Sequence, residues 1–293
     1  MIDHRTRIVT AGSCFADNIG QKLAESKFPT LVNPLGSIYN PVSIHKSLML
    51  NEPDERLFVE SQGVWRNFDF HSKFSGVDKE KVKESLRKSL VNMYDFDVVM
   101  ITYGTSWVYS YHDTIVANCH KRPAGEFTKR LLSVGEIVES FERFYPGKKI
   151  ILTVSPVRHI KDTLELNSVS KSVLRTAIHE IQQKFPDVDY FPAYEIMMDD
   201  LRDYRFYAKD MIHPSSVAID YIWEKFGERY FSDATRELNK RWEKVSRSLN
   251  HRAFQPATRQ HNDFLKGVLT ELEGLNGMMD VSEEINAIRM KIT

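Results

Sequence analysis

Five short runs of apolar and β-branched residues punctuate the first two-thirds of the chain: Ile8–Ala11, Thr30–Asn33, Asp97–Thr102, Lys149–Ser155 and Val188–Pro192. Asp97–Thr102 and Lys149–Ser155 are continuous rather than alternating, the pattern of parallel strands covered on both faces. Helical patterns separate them at Asp17–Glu25, Pro41–Leu50, Lys79–Tyr94, Ser133–Phe144 and Ser168–Phe185. In the last, Val169, Val173, Leu174, Ile178 and Ile181 recur at helical spacing. Strands alternating with helices predict βαβ units with right-handed crossovers. The expected fold is therefore α/β: a doubly wound, mostly parallel five-stranded sheet in a three-layer sandwich.

Two regions depart from this rhythm. Asn51–Ser75 has no clear period but carries Trp65, Phe68 and Phe70, and reads either as a lid over the strand ends or as a packed surface loop. After Phe231 the pattern turns wholly helical. Leu238, Trp242, Val245 and Leu249 form one stripe; Phe264, Val268, Leu269, Leu272 and Leu275 form another, ending near Gly274 and Gly277. Val281, Ile285, Ile288 and Ile292 give a third, and Asn250–Arg259, with Pro256, reads as a break. The expected division is residues 1–232 as one domain and residues 233–293 as a helical extension, packed on the core or pairing with another copy in a homo-oligomer.

Composition adds mainly exclusions. Of 293 residues, 40 are basic and 40 acidic, so no net field draws in nucleic acid or an anionic membrane. No stretch approaches the ~20 apolar residues that span a bilayer, and no apolar leader follows Met1, so the chain as given reads as cytoplasmic. Cys14 and Cys119 allow at most one disulfide, and no CxxC or HExxH spacing suggests a metal. No glycine-rich phosphate loop is present, and no cofactor is expected.

The chemistry concentrates at Gly12-Ser13-Cys14-Phe15-Ala16, where the first strand gives way to a helix. Open α/β sheets place their reactive groups at this carboxyl edge. Ser13 is either a helix N-cap or a nucleophile near free backbone N–H groups. A nucleophile needs a base and an orienting acid, and Asp210-Met-Ile-His213-Pro214 supplies both in one turn. Pro214 biases His213 away from helix and precedes the last core helix, Ser215–Phe226, with Val217, Tyr221, Ile222 and Phe226 toward the core. Cys14 could attack instead. Successive side chains of a turn point apart, so only one of the pair can face His213, and Cys14 is expected to be a small buried residue.

Gly-Ser after the first strand with Asp-x-x-His-Pro before the last core helix resembles the SGNH (GDSL-type) hydrolases. The pentapeptide itself spells the name of the related GSCFA family, and the similarity spans about residues 6–230, including Tyr103-Gly104-Thr105, Asn118-Cys119-His120-Lys121 and Ser155-Pro156-Val157-Arg158-His159. The resemblance implies Ser13 as nucleophile, His213 as base and Asp210 as its orienter. It implies an oxyanion hole from the Ser13 N–H, Gly36 and an asparagine after the third strand. That asparagine is missing from Gly104-Thr105-Ser106-Trp107, so Ser106, Thr105 or Asn118 is expected to substitute. Losing one such donor costs roughly 3 kcal/mol of transition-state stabilisation.

Thr105, Trp107, His71, His120, Arg158 and His159 are the expected substrate contacts, by their placement in edge loops. Together these readings predict an ester hydrolase forming an acyl-serine intermediate. Its substrate would be a small-molecule or carbohydrate acyl ester, with sugar O-deacetylation suggested by Trp65, Trp107 and Tyr109. An O-acyltransferase with the same triad, or a binding scaffold on a hydrolase fold, are the alternatives.

Overall fold

The computed structural model describes residues 1–90, 92–250 and 258–292. Its centre is a five-stranded, all-parallel sheet built from β1 (Ile8–Gly12), β2 (Thr30–Val32), β5 (Val98–Tyr103), β9 (Lys149–Val154) and β10 (Val188–Tyr190). The order is β10-β9-β5-β1-β2, so β1 is an inner strand and the chain reverses direction across the sheet between β1 and β5. Every residue of β1 and β5 is buried, as their continuous apolar runs require. Ile8 pairs with both Thr30 and Val98, and the ladder with β5 continues to Gly12 opposite Thr102. All five predicted strands are thus strands of this one sheet.

The crossovers are α1 (Cys14–Glu25), α2 (Pro41–Met49), α3 (Lys79–Ser89), α4 (Val134–Phe144) and α5 (Leu164–Lys184), with a single turn α6 (Ala193–Glu195) before α7 (Ser216–Tyr230). Capping is explicit in the sequence: Asn40 accepts from Ser43 N before Pro41, and Ser133 and Glu136 form a reciprocal capping box. α3 stops short of the expected Tyr94 because Leu90 turns extended. Val169 and Val217 face solvent rather than the core. The buried faces run instead through Leu174, Ala177, Ile178 and Ile181 on α5 and Ala218, Ile222 and Phe226 on α7.

Two small antiparallel sheets were not foreseen. β3 (Phe58–Ser61) and β4 (Val64–Asn67) form a hairpin within the aperiodic Asn51–Ser75 interval. β6 (Trp107–Tyr111) pairs with β7 (Thr114–Val116) and β8 (Thr128–Leu131). Their strands are three to five residues long and partly exposed, which leaves little apolar signal to read.

The chain separates into two compact units. One comprises Arg7–Gln21 and Thr30–Trp223, and its core collects Val9, Val99, Ile101, Ile150 and Leu152 with helix residues such as Ile44, Phe141 and Ile178. The other comprises Met1–Thr6, Lys22–Pro29 and Glu224–Thr293. In it, α8 (Asp233–Leu249), α9 (Arg259–Leu275) and α10 (Ser282–Arg289) bury Trp242, Val245, Val268, Leu272 and Ile285 together. Trp242 Nε1 donates to Glu25 O at 2.7 Å, and Lys27 pairs with Glu284 at 2.5 Å, so the short early segment belongs to this unit's packing. Most of the break read at Asn250–Arg259, including Pro256, lies outside the described residues. Among the described residues no helix is long and apolar enough to cross a membrane.

Candidate active site

The strand-to-helix turn is set by Gly12. Its φ is +129°, and a Cβ there would run into the Thr102 carbonyl on β5. Neighbouring backbone fixes the turn further. Ser13 N donates to Thr102 O at 3.1 Å, Ile38 N donates to Gly12 O at 2.9 Å, and the buried Asn33 side chain bonds both Gly12 N and Gly12 O. Ser13 then lies wholly buried with its Oγ accepting from Phe15 N at 3.4 Å, the position and partner of an N-cap. Cys14, the first residue of α1, is half-buried.

His213 meets Cys14. Its Nε2 lies 3.5 Å from Cys14 Sγ, within hydrogen-bond range for sulfur, while Nδ1 lies 2.6 Å from Asp210 Oδ2. The expected pairing of His213 with Ser13 is not the arrangement found. Ser13 is instead enclosed as the cap of α1, with Phe15 N on its Oγ, while the half-buried Cys14 is the residue within reach of His213.

Asp210 is held in place by the backbone of its own loop. Its Oδ1 accepts Ile212 N at 2.9 Å and His213 N at 3.0 Å, and Met211 takes a left-handed φ of +60° to close the turn. The His213 backbone N–H, then the ring N–H, then the Ile212 N–H hold this exposed carboxyl at about 2. With Nδ1–H donated to the carboxylate, Nε2 carries the lone pair that the Cys14 thiol can address. Ala208 N donates to His213 O and Ser215 N to Phe206 O, each at 2.7 Å, so the loop is backbone-braced on both sides.

Burial pushes the Cys14 thiol above its ordinary value, and the nearby Asp17 carboxylate adds to this. The N–H groups of Cys14 and Phe15 at the start of α1, and the Lys171 ammonium, act in the opposite sense. The resting thiol is therefore protonated rather than a standing thiolate. Ser37 Oγ donates to Asp17 at 3.2 Å, and Tyr39 packs edge-on against His159 with ring centres 5.6 Å apart.

One face of α5 braces this rim with polar groups. Asn167, Ser170 and Lys171 are all buried. Asn167 Oδ1 accepts His159 N at 3.0 Å, Ser170 Oγ accepts Ser106 N at 2.8 Å, and Lys171 Nζ donates to Gly104 O and Ser155 O, both at 2.7 Å. Burial, then Lys171, then His213 lower His159 to about 3, so its ring is neutral. These α5 residues were not among the sequence candidates. The available signal was a polar i, i+3, i+4 set continuing an apolar stripe.

Of the other expected contacts, Arg158 and His159 lie by the His213 loop. Arg158 N donates to Ile212 O at 3.1 Å, and its guanidinium stacks 3.8 Å over Tyr207. Thr105 and Ser106 are bonded to Ser170, and the Ser106 hydroxyl is buried and donates to Ser170 O, so neither replaces the missing asparagine. The Gly36 N–H closes a turn onto Asn33 O at 2.8 Å, and the space a Cβ would need belongs to His71, 2.5 Å away. Asn118 Oδ1 caps His120 N, and His120 bonds Asn67 O, both within the small-sheet region. Trp107 and Tyr109 both lie near the Lys129 ammonium, 4.9 and 5.7 Å from their ring centres. Among the described residues no group of three His, Cys, Asp or Glu is placed to hold a metal ion.

A family model described as the GSCFA family matches residues 7–226, and one described as the C-terminal domain of GSCFA domain proteins matches residues 242–293. No curated protein matches the chain. Solved structures similar to it include a Streptococcus pneumonia protein named after platelet activating factor, at 12% identity over 77% of this chain and 85% of that one, TM-score 0.37. A Clostridium thermocellum family 3 carbohydrate esterase is similar at 12% identity over 80% and 98%, TM-score 0.36. A family 3 carbohydrate esterase from Talaromyces cellulolyticus is similar at 10% identity over 80% and 98%, TM-score 0.34.

Proposed function

This chain belongs to the GSCFA family, and from that premise we propose that it is an acyl ester hydrolase whose nucleophile is the Cys14 thiol. The observation that carries the reading is the continuous relay Asp210–His213–Cys14, with separations of 2.6 and 3.5 Å. His213 Nε2 takes the thiol proton as Sγ bonds to the ester carbonyl carbon. The resulting imidazolium is stabilised by the Asp210 carboxylate. Negative charge on the former carbonyl oxygen falls near the N-terminus of α1, where the Cys14 N–H is available among the described residues. Collapse expels the alcohol, which takes the proton back from His213 and leaves a thioester on Cys14. Water, deprotonated by His213, then releases the acid and restores the thiol. An alcohol in place of that water would make the same site an acyltransferase.

The test is p-nitrophenyl acetate turnover combined with intact-mass analysis of the trapped enzyme. Wild type and Ser13→Ala are expected to turn over and to carry an acetyl group on Cys14, and Cys14→Ala to do neither. Retained turnover in Cys14→Ala, or an acetyl group found on Ser13, overturns the reading.

A further inference from the structure

The loop from Ala208 to His213 is bonded mainly to itself. Ala208 N donates to His213 O at 2.7 Å, Met211 N donates to Ala208 O at 2.9 Å, and the Asp210 carboxylate collects Ile212 N and His213 N. These bonds give the loop its shape, but they do not seat it against the sheet. Among the described residues, the loop's hydrogen bonds to the rest of the chain are that of His213 to Cys14 and two made by Arg158. Arg158 N donates to Ile212 O at 3.1 Å, and Arg158 Nη1 donates to Met211 O at 3.4 Å. The guanidinium also lies 3.8 Å from the ring centre of the buried Tyr207, which pairs with Pro214 across the base of the loop. Among the described residues Arg158 pairs with no carboxylate, so an ion pair is not what keeps the guanidinium here.

Arg158 is itself anchored at the end of β9. On one side the buried Val157 donates its N–H to Ser155 Oγ at 3.3 Å, and on the other His159 N donates to the buried Asn167 at 3.0 Å. The residue it holds is the strained one. Met211 has a φ of +60°, a region that residues with a side chain keep only where their surroundings enforce it. Met211 is 40% exposed, so burial of its own side chain does little of that enforcing. We propose that Arg158 is a positioning residue: its guanidinium, laid on Tyr207 and bonded to Met211 O, fixes the left-handed turn and so holds His213 Nε2 at Cys14. The proposal rests on the Asp210–His213–Cys14 relay being the reacting one. Removing the guanidinium leaves the backbone bond to Ile212 O in place but frees Met211 to leave its left-handed conformation. His213 then spends less time where it can take the thiol proton, which slows the chemical step rather than substrate binding.

The experiment measures kcat and KM for p-nitrophenyl acetate and for p-nitrophenyl hemisuccinate, with a thermal melt, in the full chain and in Arg158→Met, Arg158→Gln and Arg158→Lys. With both esters, Arg158→Met and Arg158→Gln are expected to lower kcat about ten-fold, with KM within about two-fold of wild type. Arg158→Lys keeps a cation for Tyr207 and a donor for Met211 O, and is expected to fall between these variants and wild type. Where one neutral variant fails to fold, the other gives the same reading. An unchanged kcat in a folded neutral variant, or an Arg158→Lys no faster than Arg158→Met, overturns the proposal. A loss that appears only as a raised KM, and only with the carboxylate-bearing hemisuccinate, overturns it as well and makes Arg158 a substrate contact. Turnover retained by Cys14→Ala overturns the nucleophile reading instead, and is read separately from the Arg158 variants.

Discussion

Gly12 and Thr102 face each other across β1 and β5 so closely that no side chain fits between them. Gly12→Ala would place a Cβ on the Thr102 carbonyl in a backbone region that L residues avoid. The expected cost is about 3 kcal/mol or more of stability, read from the urea midpoint, together with loss of turnover. A variant as stable as wild type would show that the turn can be made another way.

Ser13 and Cys14 should separate cleanly by substitution. Removing the N-cap with Ser13→Ala is expected to cost about 1 kcal/mol and to leave Cys14 reactive. Cys14→Ala is expected to lower turnover at least about a thousand-fold with little change in melting temperature. The comparison needs kcat/KM and a thermal melt on each variant.

Asp210→Asn should keep the loop but misorient the ring, with kcat falling about 10²–10⁴-fold. The pH dependence has a definite sign. The carboxyl is held at about 2, below its ordinary value, so its contribution is complete above the ordinary value and is lost as pH falls through about 2. Turnover in Asp210→Asn should therefore stay low at every pH from 5 to 8, with no recovery on the alkaline side.

His45 predicts a separate acid sensitivity, in the core rather than the site. It is wholly buried between Ser140 Oγ at 2.9 Å and Tyr103 OH at 2.6 Å, and burial, then Arg143, lower it to about 3. The folded chain keeps this ring neutral where the unfolded chain protonates it. Stability is accordingly lost as pH falls from the ordinary histidine value toward about 3, at roughly 1 kcal/mol per pH unit for this one group. Urea midpoints between pH 4 and 7 should show a shallower slope in His45→Gln than in wild type.

Trp242 ties α8 to the segment around Glu25 and Lys27, whose ammonium sits 5.1 Å from the indole. Trp242→Ala is expected to cost about 3–5 kcal/mol within that unit. Hydrogen exchange should show faster amide exchange in α8, α9 and α10 than in wild type. Equal protection in those helices would show that their packing does not depend on this side chain.

The inner sheet strands were legible because a parallel strand covered on both faces must be largely apolar, as Val98–Ile101 and Ile150–Leu152 are. The hairpin at Phe58–Asn67 and the sheet built on Trp107–Tyr111 were not, since short, half-exposed strands leave charged residues such as Lys129 and Arg130 in the pattern. Asp210 and His213 could be found because they stand three positions apart in one turn.

Sequence by itself determined the parallel sheet and the pairing of Asp210 with His213, because each depends on periodicity or on neighbours along the chain. Which of Ser13 and Cys14 faces His213 was decided only by the tertiary structure. Adjacent residues share every sequence signal, and what separates them is packing: Ser13 is wholly enclosed as the cap of α1, whereas Cys14 reaches His213. The same holds for Lys171, whose burial beside the site exists only once α5 has packed over the ends of β5 and β9.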